Sequence, residues 1–246
     1  MKKSYFPNII TTLNLLSGFL SIVFASEGNY EFAAALILVA SIFDLTDGIV
    51  ARLLKTSSQF GVELDSLSDA VSFGAAPAFL IYKFHFHTLG WIGILLSSFL
   101  LIFGVLRLAR FNSQITDLDT KADFKGLPIP LSAITVAMFI LYEFNTHDFS
   151  NSINYIAIPL VLILSIAMVS NIKYSAFPKL NKSTLRGKPF YLLFTILGLI
   201  LVFLTDGTAL FYIFLVIVFW GIIKHFIKKI SPSNKNEKIE LKEKQI

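Results

Sequence analysis

The sequence predicts an all-α protein, a polytopic membrane bundle of about eight transmembrane helices. Three observations predict it. Apolar residues make up 55% of the 246 positions and charged residues only 15%, against about 25% charged in soluble domains. Long apolar stretches recur from end to end, and the mean hydropathy is +0.71. Of the 21 lysines and arginines, only Lys83 falls on the outer side once the N-terminus is set in the cytoplasm, the asymmetry expected of cytoplasmic loops.

The apolar spans lie near Ile9–Ala25, Phe32–Leu54, Leu67–Tyr82, Leu89–Leu108, Leu127–Tyr142, Ile153–Val169, Phe190–Leu204 and Ala209–Ile227. Each is about long enough to cross a hydrocarbon core of ~30 Å as a helix, and a helix satisfies its own backbone polar groups, as lipid requires. Both termini then face the cytoplasm, as do the loops around 52–66, 107–127 and 172–188. Met1-Lys2-Lys3 ahead of an apolar run has the opening of a secretory signal. No cleavage site with a soluble segment behind it follows, so the first span is expected to stay as a helix. Residues 1–230 are expected to form one membrane-embedded domain. The lysine- and glutamate-rich stretch 231–246 is expected to be a polar cytoplasmic tail that can touch anionic headgroups.

Cysteine is absent, which excludes disulfides, thiolate metal sites and a cysteine nucleophile. The net charge of +5 is modest and gives no reason to expect a nucleic-acid partner. His85, His87 and His147 fall in predicted outer loops and His225 near the tail, all away from the acidic residues described next, and none sits in a His-x-Lys motif.

The informative stretch runs Asp44-Leu-Thr-Asp47-Gly48-Ile-Val-Ala51-Arg52, then eight residues, then Gly61-Val-Glu-Leu-Asp65-Ser-Leu-Ser-Asp69. Asp44 and Asp47 are spaced i, i+3, and Asp65 and Asp69 i, i+4, so each pair shares a helix face. The short connection makes the two helices antiparallel neighbours, which lets all four carboxylates converge near the cytoplasmic membrane boundary. Aspartate costs roughly 2.5–3.5 kcal/mol at the centre of a membrane helix, and four like charges repel. A cluster of this kind calls for a cation. Oxygen ligands alone favour Mg²⁺ or Mn²⁺ over Zn²⁺, and two such ions suit an in-line displacement at phosphorus. Gly48, Ala51 and Gly61 leave room for a base or a phosphate, and Arg52 can grip a phosphate with two hydrogen bonds. Singly, these residues also have plain readings: Asp44 as a helix cap, Gly48 and Ala51 as a tight helix–helix contact.

The whole pattern, D-x-x-D-G-x-x-A-R-x8-G-x3-D-x3-D, resembles the motif of the CDP-alcohol phosphatidyltransferases, and residues 44–69 match it at every position. The resemblance implies a six-helix catalytic core, a homodimer, two divalent cations and a CDP-linked lipid donor. It implies Asp44 and Asp65 as ligands of both metals, Asp47 of the first, and Asp69 as a ligand of the second and the general base. Gly48, Arg52 and Ser58 match positions that hold the nucleotide and its phosphates, and Pro7-Asn8-Ile-Ile-Thr11 resembles the family's N-terminal donor-binding segment.

Arg107-Leu-Ala-Arg110-Phe111-Asn112, Phe124-Lys125-Gly126-Leu127-Pro128-Ile-Pro130 and Met168-Val-Ser170-Asn171-Ile-Lys173-Tyr174 resemble the serine-accepting branch. The implied reaction joins L-serine to the phosphatidyl group of CDP-diacylglycerol, at an active site facing the cytoplasm. Among the basic residues able to pair the serine carboxylate, Arg110 is the first candidate, with Asn112 and Lys125 beside it. Glycerol 3-phosphate or inositol phosphate as acceptor is the alternative within the family. A small-cation transporter using intramembrane aspartates is the alternative outside it.

Overall fold

The structure, a computed structural model, describes residues 5–54, 56, 58–113, 126–146, 153–172, 205 and 209–230, and these contain helices and no strand. Helix α1 (Tyr5–Ser26) and helix α2 (Tyr30–Leu54) form an antiparallel hairpin. The turn closes on Gly28, whose φ of 84° lies in the left-handed region. The amide of Asn29 bonds the carbonyl of Phe24 and that of Gly28 bonds Ala25, a pairing that satisfies the last carbonyls of α1. The Asn29 side chain then accepts from the Phe32 amide and starts α2.

Small and polar residues line the seam between the two helices. Thr11, Asn14, Ser17, Gly18, Ser21 and Ala25 are buried on α1, and Ala33, Ala34 and Ala40 are among the buried residues of α2, while Asn14 and Gly18 also meet the segment that follows α3. The outer faces are apolar: Ile42, Leu45 and Leu53 are all exposed on α2. This is the reverse of a soluble helix pair, and it is the pattern of helices that pack through small residues and turn their large ones to lipid.

Helix α3 (Gln59–Asp69) begins at Ser58, whose side-chain oxygen accepts from the Gly61 amide. It runs through a π-helical segment (Ala70–Ala75) directly into α4 (Ala76–Phe84). Pro77 stands in the first turn of α4. Proline lacks an N–H and its ring presses on the carbonyl four residues back, so the wider π turn ahead of it keeps the run helical. The predicted span Leu67–Tyr82 is therefore the inner part of a longer helical run from Gln59 to Phe84. The polar composition of Gln59–Asp69 concealed its first turns.

A short 3₁₀ turn (Phe86–Leu89) leads to α5 (Trp91–Asn112). Helices α6 (Ile129–Thr146), α7 (Ile153–Val169) and α8 (Ala209–Ile230) follow. The core where they meet is made by Phe73, Leu80, Leu100, Ile129, Ile140 and Leu164.

Among the described residues three helices, α1, α2 and α5, are long and apolar enough to cross a membrane, and shorter apolar helices lie at Ile129–Phe144, Tyr155–Val169 and Ala209–Gly221. Seven of the eight predicted spans thus coincide with helix among the described residues. The span Phe190–Leu204, the tail 231–246 and Lys125 lie outside them.

Candidate active site

The acidic motif folds as a helix–turn–helix. Helix α2 carries Asp44, Asp47, Gly48, Ala51 and Arg52, and α3 returns with Gly61, Asp65 and Asp69. Carboxylate oxygens of Asp44, Asp47 and Asp65 all lie within 4.8 Å of one another. Asp69, one turn deeper and 7% exposed, sits within hydrogen-bonding reach of Asp44.

Helix α1 braces this group from the third side. The Thr11 hydroxyl donates to Asp47 Oδ2 at 2.7 Å, and Asn14 Nδ2 donates to Asp69 Oδ1 at 3.3 Å. The backbone amide of Gly48 also serves Asp47. These donors are neutral. Two full charges 4.8 Å apart repel by ~3–4 kcal/mol at an effective dielectric of about 20. A hydrogen bond to a charged group returns about 1.5–3 kcal/mol, so the donors present do not balance four ionised aspartates. The set is all oxygen and fits hard divalent cations. Asp44, Asp47 and Asp65 are placed to hold one, with Asp69 adjoining.

A polar pocket of about 210 Å³ opens beside the cluster. Its lining includes every residue expected at the nucleotide: Asn8, Thr11, Gly48, Ala51, Arg52, Ser58 and Gly61, together with Asp47 and Asp65. Gly48 distinguishes between the two readings of the small residues. A Cβ built there meets nothing within 4 Å among the described residues, so the missing side chain opens onto the pocket and makes no helix contact with them. At Gly61 a Cβ would stand 3.2 Å from Ser58 Oγ and 3.5 Å from Asn8 Oδ1. Ser58 holds the start of α3 through its oxygen while lining the pocket. Thr56, which the motif did not single out, also lines the pocket, and its buried hydroxyl has no hydrogen-bond partner.

An apolar groove of about 370 Å³ lies next to this pocket, lined by Phe6, Ile10, Val50, Leu53 and Leu54. The same two helices build both, because alternate faces of α1 and α2 are polar and apolar. The pair fits an amphipathic ligand with a charged head and hydrocarbon tails.

The residues expected to contact the acceptor take different positions. Arg110 Nη1 donates to the Val169 carbonyl at 2.8 Å, and Nη2 to Met168 and Ser170 at 3.4 and 3.3 Å. Its guanidinium therefore finishes the C-terminus of α7, where cations are favoured. Gly126, with φ 86°, joins the same cap: its amide bonds Ile172 at 2.8 Å and that of Leu127 bonds Ala167 at 2.9 Å. The turn at Gly126 thus leads into α6. Asn112 turns toward α3, donating from Nδ2 to Ser66 Oγ at 2.9 Å, and its buried Oδ1 has no partner.

Arg107 is another of the basic residues that the sequence offers for a serine carboxylate. It is buried, its Nε has no hydrogen-bond partner among the described residues, and it lies within electrostatic reach of Asp69. It stands one turn before Arg110 on α5. His85 and His87 lie at the far end of α4, away from the aspartates.

A sequence profile of the family described as CDP-alcohol phosphatidyltransferase matches residues 4–168. The chain is 34% identical over 234 residues to a protein of Helicobacter pylori named CDP-diacylglycerol–serine O-phosphatidyltransferase, covering 94% of this chain and 96% of the relative. A Bacillus subtilis protein of the same name is 35% identical over 176 residues, 72% of this chain and 93% of the relative. An archaetidylserine synthase of Methanothermobacter thermautotrophicus is 38% identical over 182 residues, 72% of each chain.

Proposed function

The chain belongs to the CDP-alcohol phosphatidyltransferase family, and we propose that it transfers the phosphatidyl group of CDP-diacylglycerol to L-serine, giving phosphatidylserine and CMP. The observation that carries the proposal is the contact of three features: an all-oxygen acidic cluster, a polar pocket kept open at Gly48, and an apolar groove alongside. A lipid-linked nucleotide needs all three. The acceptor comes from the relatives, which are named for serine or for its archaeal lipid product.

In this reading the pocket takes the cytidine and pyrophosphate, with Arg52 at its exposed rim closing on a phosphate. The acyl chains enter the groove at Phe6, Ile10 and Val50. Asp44, Asp47, Asp65 and Asp69 hold two divalent cations, Mg²⁺ or Mn²⁺, which when bound neutralise charge on the pyrophosphate and on the departing CMP. The serine hydroxyl attacks the lipid-side phosphorus. A new O–P bond forms, the bond to the CMP oxygen breaks with its electron pair leaving on CMP, and the hydroxyl proton passes to Asp69. Positioning and electrostatics supply most of the acceleration in such a transfer.

Arg107 pairs the serine carboxylate in place of Arg110, whose donors are engaged on α7, and the open Asn112 Oδ1 and Lys125 complete the acceptor's surroundings. Glycerol 3-phosphate and inositol phosphate carry a phosphate dianion in place of one carboxylate, and the cap role of Arg110 withholds a cation from it. In the same reading the bundle crosses the membrane eight times as a homodimer with this site at the cytoplasmic face, a reading that the charge asymmetry of the loops supports.

An acceptor panel tests the proposal. Purified protein with labelled CDP-diacylglycerol should form lipid product with serine and not with glycerol 3-phosphate or inositol phosphate. Product from either phosphate and none from serine would reassign the acceptor.

A further inference from the structure

Asn14 lies outside the acidic motif, yet it is fully buried and ends on Asp69. Its amide nitrogen Nδ2 faces Asp69 Oδ1 at 3.3 Å and donates to it. The amide oxygen then points elsewhere, is buried, and has no partner. A buried polar atom without a partner costs about 1–3 kcal/mol, and one beside a reacting group calls for an explanation.

The backbone around Asn14 is held as firmly as its side chain. Ser72 Oγ donates to the Asn14 carbonyl at 2.9 Å. One turn on, a Cβ at Gly18 would fall 2.5 Å from the Ser72 Cα, so α1 and the π segment touch backbone to backbone here. That segment begins at the residue after Asp69. Helix α1 therefore sets the height and rotation at which Asp69 leaves α3, and Asn14 is the side chain that reaches its carboxylate.

We infer that Asn14 bridges the base and the acceptor: its amide N–H₂ holds Asp69 turned to receive the proton, and its free amide oxygen takes a hydrogen from the incoming amino alcohol. The inference rests on the acceptor reading given above. An acidic base with one oxygen tethered presents the other to the hydroxyl. The amide oxygen, acceptor only, favours a substrate bearing an ammonium group beside that hydroxyl over one bearing a phosphate.

The test compares Asn14→Ala, Asn14→Leu and Ser21→Ala in the full-length protein. Leucine keeps the forked shape and removes both hydrogen-bonding functions. Ser21→Ala removes another buried α1 hydrogen bond, to the Ala33 carbonyl at 2.8 Å, well away from Asp69. Three quantities are read on each: thermal stability in detergent, the Kd for CDP-diacylglycerol, and kcat/KM for the acceptor. Both Asn14 variants should lose roughly 10–100-fold in acceptor kcat/KM, the loss expected for one or two hydrogen bonds to a charged centre. Donor Kd should stay within about threefold, and Asn14→Leu should melt no lower than the parent. Ser21→Ala should keep kcat/KM within about twofold. Unchanged acceptor kcat/KM in Asn14→Leu would overturn the inference. So would a donor Kd that weakens in step with turnover, or failure of both Asn14 variants to fold, since either makes Asn14 a packing residue. The series is run with serine and with glycerol 3-phosphate. A parent enzyme that uses only the latter refutes the serine assignment, and the bridging to Asp69 is then judged on the alcohol that turns over.

Discussion

The Thr11 hydroxyl and Asp47 Oδ2, 36 positions apart in sequence, meet at 2.7 Å. This contact joins the N-terminal segment to the acidic motif and orients a carboxylate with an oxygen within 4.8 Å of those of Asp44 and Asp65. Partners of this kind are worth about 10–100-fold in metal affinity or activity when removed. Thr11→Val keeps the shape and deletes the donor. It should raise the Mg²⁺ or Mn²⁺ concentration giving half-maximal turnover by roughly tenfold or more, read from a metal titration. An unaltered titration would mean that Asp47 needs no second partner.

Gly48 yields a prediction that separates folding from binding. Space beyond its Cα is open within 4 Å, and the residue is in the middle of a helix, where leucine costs nothing in propensity. Gly48→Leu should leave thermal stability unchanged or raised while blocking the pocket. Donor affinity should fall by roughly 100-fold or more, an estimate from the ~3 kcal/mol cost of overpacking a filled site. A drop in stability with donor binding intact would return Gly48 to a helix contact.

The two arginines of α5 should part company. Arg110→Ala removes its hydrogen bonds to the end of α7 and should destabilise the protein by roughly 1–3 kcal/mol, with a KM for serine near the parent value in the folded fraction. Arg107→Ala should spare stability and raise the KM for serine by roughly 10–100-fold, since it leaves a bound carboxylate unpaired. The opposite assignment of effects would restore Arg110 to the acceptor.

The parts legible in the sequence were those set by local spacing. Asp44 with Asp47, and Asp65 with Asp69, needed only the helical repeat, and the short link between them forced an antiparallel return. The apolar spans followed from composition. What stayed hidden depended on long-range contacts. Arg110 finds its carbonyls nearly 60 positions away, and no local pattern announces that a basic residue at a helix end will cap a distant helix. Asn14 reads in the sequence as one polar residue in an apolar helix, and only the approach of α1 to the π segment gives it a partner. The apolar span starting at Leu67 leaves out the first turns of α3, because their polarity, which serves the pocket, carries no hydropathy signal.

Asp69 should separate binding from chemistry. Asp69→Asn keeps the shape and cannot take the proton. Turnover should fall by roughly 10²–10⁴-fold, the range for lost general acid–base catalysis, while CDP-diacylglycerol still binds through Asp44, Asp47 and Asp65. Parallel loss of binding and turnover would make Asp69 chiefly a metal ligand.

The most direct test of the whole account is the stoichiometry and metal dependence of one reaction. Purified protein is incubated with CDP-diacylglycerol and serine, and CMP and phosphatidylserine are both quantified, with excess EDTA and then with Mg²⁺ or Mn²⁺ restored. The account predicts equal amounts of the two products, none in EDTA, recovery with the metal, and none from Asp65→Asn under any condition. Full activity in excess EDTA, or undiminished activity in Asp65→Asn, would contradict it.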